Sequence, residues 1–175
     1  MNDILKKLKL IDYLSIELDV TKSHFVNRLH TIVEPGQVTG MFADTFDVFS
    51  SSKKRYKGEV TSAGFQIKRR KRLFDFNSMG ARVNGTLSHN GDGVRVDMVI
   101  NGFEKSYIFY FIMIAVFYLF FLGMMLMVDS APVFVIPFVL LHACFMFGLP
   151  YFLMKRAVSS TLHDLERELY FLVRK

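Results

Sequence analysis

The hydrophobic pattern of this chain changes period along its length. Residues 13–20 alternate, with Leu14, Ile16, Leu18 and Val20 on one side and Ser15, Glu17 and Asp19 on the other, which predicts a half-buried strand. From Lys22 the spacing becomes helical: Phe25, Leu29, Ile32 and Val33 share one stripe, Thr21 or Ser23 can cap its start, and Pro35-Gly36 ends it. Residues 37–55 are less regular, with Phe42, Phe46, Val48 and Phe49 as apolar points before a Ser- and Lys-rich loop. Period two then returns. Strands are expected over 56–62, 65–74, 81–89 and 94–100, with Val94, Val96, Met98 and Ile100 facing inward. His89-Asn90-Gly91-Asp92-Gly93 predicts a tight hairpin, because Asn-Gly and Asp-Gly readily adopt the positive φ such turns need.

Beyond residue 105 the alternation stops. Residues 106–128 and 133–154 are two uncharged apolar runs, separated by Asp129-Ser130-Ala131-Pro132. Each reaches the roughly 20 residues that a helix needs to cross a ~30 Å hydrocarbon core. They predict a transmembrane hairpin. Pro137 falls in a first turn, where proline is tolerated, whereas Pro150 should bend or end its helix. The last stretch, 155–175, has Leu162, Leu165, Leu169 and Leu172 or Val173 at helical spacing and predicts a separate amphipathic helix behind Ser159 or Ser160. Its apolar face is expected to fold back onto the sheet, with a partner helix or the membrane interface as the alternatives. The fold class expected is α+β: an antiparallel sheet of about five strands with one or two helices over 1–105, the hairpin over 106–154, and the terminal helix.

Charge orients this arrangement. Residues 1–105 carry 17 Lys and Arg and residues 155–175 carry 5, while 129–132 has none. The positive-inside rule then places both termini in the cytoplasm of a cell whose inner membrane holds the hairpin. The first fourteen residues lack the continuous apolar stretch of a signal peptide. Cys144 is the one cysteine, so no internal disulfide forms and no oxidising compartment is implied.

The middle and end of the chain resemble a group of small bacterial two-span membrane proteins. The resemblance rests on Tyr56-x-Gly58-x-Val60, Gly64-Phe65-x-Ile67-x-Arg69, Asn77-Ser78 followed by Gly85, the two apolar runs, and the Glu-containing helix around Leu165–Leu172. It covers about residues 55–175. The chain departs from the pattern in its more basic 70–76 stretch and at Met79-Gly80-Ala81. The resemblance implies a β-rich cytoplasmic domain beside a hairpin, and it implies no reaction.

Two sets of residues are candidates for function. Lys68, Arg69, Arg70, Lys71 and Arg72 form a run of cations that can contact anionic lipid headgroups, each adding ~1 kcal/mol near the surface. A solvated strand is the plain alternative. Nucleic acid is disfavoured, because Phe65 and Phe74 read as core residues and not as base-stacking platforms. The second set is Tyr110, Phe117, Tyr118, Phe121 and His142, an aromatic surface in the two apolar runs that also hold six methionines. Such soft side chains pack adaptably and suit docking to another integral membrane protein or to a second copy, although plain exposure to lipid would account for them equally. His142 is costly inside a bilayer unless hydrogen-bonded, and a tyrosine or a carbonyl of the other helix can serve it. A metal site needs three or four convergent ligands, which the spacing of His24, His30, His89 and His163 does not offer. There is no nucleophile–base pattern and no phosphate-binding glycine loop, so no catalytic residue and no cofactor are expected. The function expected is a non-enzymatic accessory or scaffold subunit of a bacterial inner-membrane complex. The alternative is a membrane-tethered lipid- or small-ligand-binding module with Phe42, Phe46 and Phe49 lining its pocket.

Overall fold

The structure, a computed structural model, describes residues 2–38, 52, 54–70, 80–91, 93–127 and 134–174. The chain forms two compact units, one of residues 1–103 with 154–175 and one of residues 104–153.

The first unit is a six-stranded mixed sheet with helices. A short helix α1 (Asn2–Lys7) leads into β1 (Ile11–Leu18). Helix α2 (Lys22–Ile32) follows, and the Thr21 hydroxyl accepts from the His24 backbone N–H at its start. Strands β2 (Val33–Pro35), β3 (Tyr56–Val60), β4 (Gly64–Arg69), β5 (Arg82–Asn90) and β6 (Gly93–Asn101) complete the sheet. The order across it is β1-β6-β5-β4-β3-β2, so the first strand pairs with the last.

The alternating pattern places the core. Val94, Val96, Met98 and Ile100 of β6 are all buried, as are Val83 and Leu87 of β5 and Phe65 and Ile67 of β4. Phe25 and Leu29 of α2 pack on this face, with Val158, Leu165 and Leu169 from the chain's last helix. The Phe25 and Phe65 rings lie 6.5 Å apart. Gly85 sits opposite Phe65, whose ring covers it so closely that a Cβ there would lie 2.2 Å from Cζ. Any side chain at that position must push the ring out of the core.

The opposite face is polar, and its side chains pair across strands. The Gln66 amide donates to Asn84 Oδ1 at 2.8 Å, and the Ser15 hydroxyl to Asp97 Oδ1 at 2.6 Å. Both are register neighbours. The Asp97 carboxyl is held below its ordinary value by that hydroxyl, and then by Arg95.

Three expectations need correction. The sheet has six strands and is not wholly antiparallel, because β2 runs parallel to β3. A parallel neighbour needs a crossover of a dozen or more residues, and residues 36–55 separate these two strands in the chain. Three residues are too few for alternation to announce a strand, so β2 read as the end of the preceding helix. Second, β4 covers Gly64–Arg69 and Arg70 is no longer strand, while the rest of the expected strand, 71–74, lies outside the described residues. Third, the terminal helix is not separate. Helix α4 runs unbroken from Val135 to Arg174, through Pro150, and its first half belongs to the second unit.

That second unit holds α3 (Ser106–Leu126) and the first half of α4. Both helices are long and apolar enough to cross a membrane. The connection around 129–132 lies outside the described residues. Ring and hydrogen-bond contacts pair residue 110 with 146, 111 with 147 and 118 with 142, so the two helices lie antiparallel.

Candidate membrane-docking surface

In the helix pair, two tyrosine hydroxyls bond across to the facing helix and most of the apolar side chains turn out. Tyr118 is buried, and its hydroxyl lies 2.5 Å from His142 Nδ1. Phe111 and Phe147 stack at 5.9 Å, and Tyr118 packs against Phe147 at 6.4 Å. Phe117 and Phe121 stack on each other at 6.2 Å on the outside, with Phe117 59 % exposed. Of the five residues singled out from the sequence, Tyr110 and Tyr118 therefore hold the pair together. Phe117 and Phe121 belong to its surface, and His142 does both, since it binds Tyr118 while its ring is exposed.

The Tyr110 contact explains why Pro150 does not end α4. A proline has no N–H to donate four residues back, so the Met146 carbonyl loses its helical partner. The Tyr110 hydroxyl donates to that carbonyl at 3.3 Å. In hydrocarbon a freed backbone group must be satisfied internally, and a side chain of a neighbouring helix can do so. No linear signal ties Tyr110 to Pro150. Only the antiparallel register brings them together.

The basic run has a different setting. Lys68 is buried beside Lys57, its neighbour on β3. Arg69 pairs with Asp164 of α4 at 2.6 Å, and Arg70, nearly buried, pairs with Glu34 of β2 at 2.7 Å. Strand alternation sends Arg69 to the helix-bearing face and Lys68 to the other. Lys71 and Arg72 lie outside the described residues. Arg69 and Arg70 would therefore meet a lipid headgroup with their charge already paired to a carboxylate of the domain.

The acids in these pairs carried no mark in the sequence. Glu34 follows a helix by two residues, and Asp164 reads as part of a solvated helical face. The Glu34 carboxyl is held below its ordinary value by a hydrogen bond from Ser52, helped by the Arg70 and Lys54 charges. Glu168, one turn beyond Asp164, pairs with Arg55. Burial pushes the Tyr56 phenol far above its ordinary value, and the nearby Glu168 carboxylate raises it further. Together Asp164 and Glu168 fasten the last part of α4 to β4 and to Arg55, just before β3, through ion pairs, while Leu165 and Leu169 pack into the core.

An open groove of about 1120 Å³ runs between edge strand β1 and the last turns of α4. Leu14, Ile16, His163, Tyr170 and Phe171 are among its lining residues. Phe42, Phe46 and Phe49, expected to line a pocket, lie outside the described residues. Among the described residues no three His, Cys, Asp or Glu side chains are grouped so as to hold a metal ion. Comparison with protein-family models, with curated proteins and with solved structures finds no match.

Proposed function

We propose that this chain is a non-enzymatic accessory or scaffold subunit of a bacterial inner-membrane complex, with its helix pair inserted as a hairpin and both termini in the cytoplasm. The observation that carries this reading is the outer surface of α3 and α4. Ile112, Phe117, Phe120, Phe138, Leu141, Phe145 and their neighbours leave most of two helix circumferences uncovered. Two helices cannot hide that surface from each other, and aromatic and methionine side chains suit a docking face. The excess of Lys and Arg before residue 106 and after residue 154 supports the orientation. The bacterial setting rests on the resemblance of residues 55–175.

Gentle detergent or nanodisc purification from the native membrane, with mass determination and identification of co-purifying proteins, tests the reading. A larger integral membrane protein in fixed stoichiometry is expected. A chain that purifies without any other membrane protein overturns it.

A second reading has one observation in its favour, the groove between β1 and the end of α4. Its aliphatic floor and exposed Tyr170 and Phe171 suit an apolar small ligand or a lipid chain. Mass spectrometry of lipids and metabolites retained by the purified chain would separate the two. A stoichiometric bound molecule that is lost on Ile16→Asp favours the ligand module.

A further inference from the structure

We propose that two copies of this chain pair in the membrane through the side of α4 that carries His142, with the two imidazoles hydrogen-bonded to each other. The inference rests on the reading of α3 and α4 as a membrane-spanning hairpin, and it assigns Phe138 and Phe145 of that exposed surface to a second copy of the chain.

His142 lies seven residues from the start of α4, roughly 10 Å along the helix. That is well inside a ~30 Å hydrocarbon layer. Its Nδ1 is taken by the Tyr118 hydroxyl. An imidazole has a second nitrogen, and whichever tautomer is present, that nitrogen is a donor or an acceptor. The ring is exposed on the surface of the helix pair. There, lipid tails offer it no hydrogen bond, and an unsatisfied polar group in hydrocarbon is costly.

The partner this nitrogen needs must sit at the same depth. Residues 106–126 and 135–154 contain no Asp, Glu, Lys or Arg, and Tyr118 is already engaged. Copies of one chain insert in one orientation, so a twofold axis relating two of them runs along the membrane normal. Each residue near that axis then meets the same residue of its partner, as in any isologous interface. With the exposed imidazole at that axis, His142 meets His142. An imidazole can complement itself, because one ring presents N–H and the other its lone pair, and the Tyr118 hydroxyl serves either tautomer as donor or acceptor.

The surroundings fit close packing of two such faces. Helical spacing puts Phe138, Phe145 and Leu149 on the same side as His142, and all three are exposed. Cys144, the chain's one cysteine, is exposed two residues on and points to the other side of the helix.

Disulfide cross-linking in native membranes tests the proposal. Phe138→Cys and Leu149→Cys, each in a Cys144→Ala background, should give an oxidised species of twice the chain's mass. The parent chain, with Cys144 alone, should give much less. Adding His142→Leu should lower the association about tenfold, the effect of losing one interhelical hydrogen bond of the stronger kind. His142→Gln, whose amide both donates and accepts, should restore it. No dimer from either cysteine, equal dimer with leucine at position 142, or a dimer through Cys144 alone would each overturn the proposal. If the leucine variant fails to accumulate, the two cysteine positions decide by themselves. A cross-link from position 138 or 149 to a different protein also overturns it, while supporting the accessory-subunit reading. A dimer without a co-purifying partner does the reverse.

Discussion

The sheet domain and the helix pair solve opposite problems with the same side chains. In the sheet, Phe25, Phe65 and Ile67 are withdrawn from solvent and the charges are gathered into pairs at the periphery. In the helix pair, Phe117, Phe120 and Phe145 face outward, and hydrogen bonds link the helices at Tyr110–Met146 and Tyr118–His142. Apolar burial drives folding only where the alternative is water. If the two helices lie in lipid, as we propose, the alternative is another apolar medium, and packing and interhelical hydrogen bonds then hold them together instead. A phenylalanine thus marks the interior of one region and the exterior of the other.

The largest test of this contrast is a pair of truncations. Phe25→Ala removes a fully buried ring and should cost the sheet domain about 3–5 kcal/mol. Phe120→Ala removes a ring that is 68 % exposed and should leave the stability of both units nearly unchanged. Thermal unfolding in mild detergent, read separately by proteolysis of the two regions, checks both. Equal effects would break the comparison.

A smaller effect is expected at the proline. Tyr110→Phe should weaken the helix pair by about 0.6 kcal/mol, the average for interhelical hydrogen bonds in a membrane, and by no more than about 1.7 kcal/mol. Pro150→Ala restores the N–H that the Met146 carbonyl lacks, so in that background Tyr110→Phe should cost much less. Association of separately expressed α3 and α4 segments in a double-mutant cycle would measure the coupling. No coupling would mean that the hydroxyl and the proline act independently.

The smallest effect belongs to acid. The Glu34 and Asp97 carboxyls are both held below their ordinary values of 4.5 and 3.8 in the folded chain. Their contribution to stability is complete above those ordinary values and is lost as pH falls through the lowered ones. This contribution should therefore be lost only as pH falls below the ordinary carboxylate values, and only from the sheet domain. Glu34→Gln with Asp97→Asn should flatten that acid limb in a pH series of melting temperatures. The helix pair, with no carboxylate in its described helices before residue 155, should show none of it.

Much of the fold was legible before any coordinates. Alternation in 94–100 and the Asn90-Gly91 turn located the β5–β6 hairpin, and the two uncharged runs located α3 and the first half of α4. Less of the candidate site was legible. The cations of 68–72 stood out as a run, yet their partners Glu34 and Asp164 lie 36 and 95 residues away from Arg70 and Arg69. A linear reading sees a charge cluster and not its neutralisation. The aromatic set was visible as composition, but its division into Tyr110 and Tyr118 inside and Phe117 outside depends on the facing helix.

By itself the sequence determined what hydrophobic period and composition control: the longer strands β1, β5 and β6, the two long apolar runs, and which face of those strands is buried. These follow from local geometry, two residues per repeat in a strand and 3.6 per turn in a helix. Only the tertiary structure decided what depends on contacts between distant segments. It made β2 a parallel edge strand, carried α4 through Pro150 with Tyr110 serving the freed carbonyl, and paired Arg69 with Asp164. Each of these is a hydrogen bond or ion pair between groups far apart in the chain, and no local periodicity encodes such a partner.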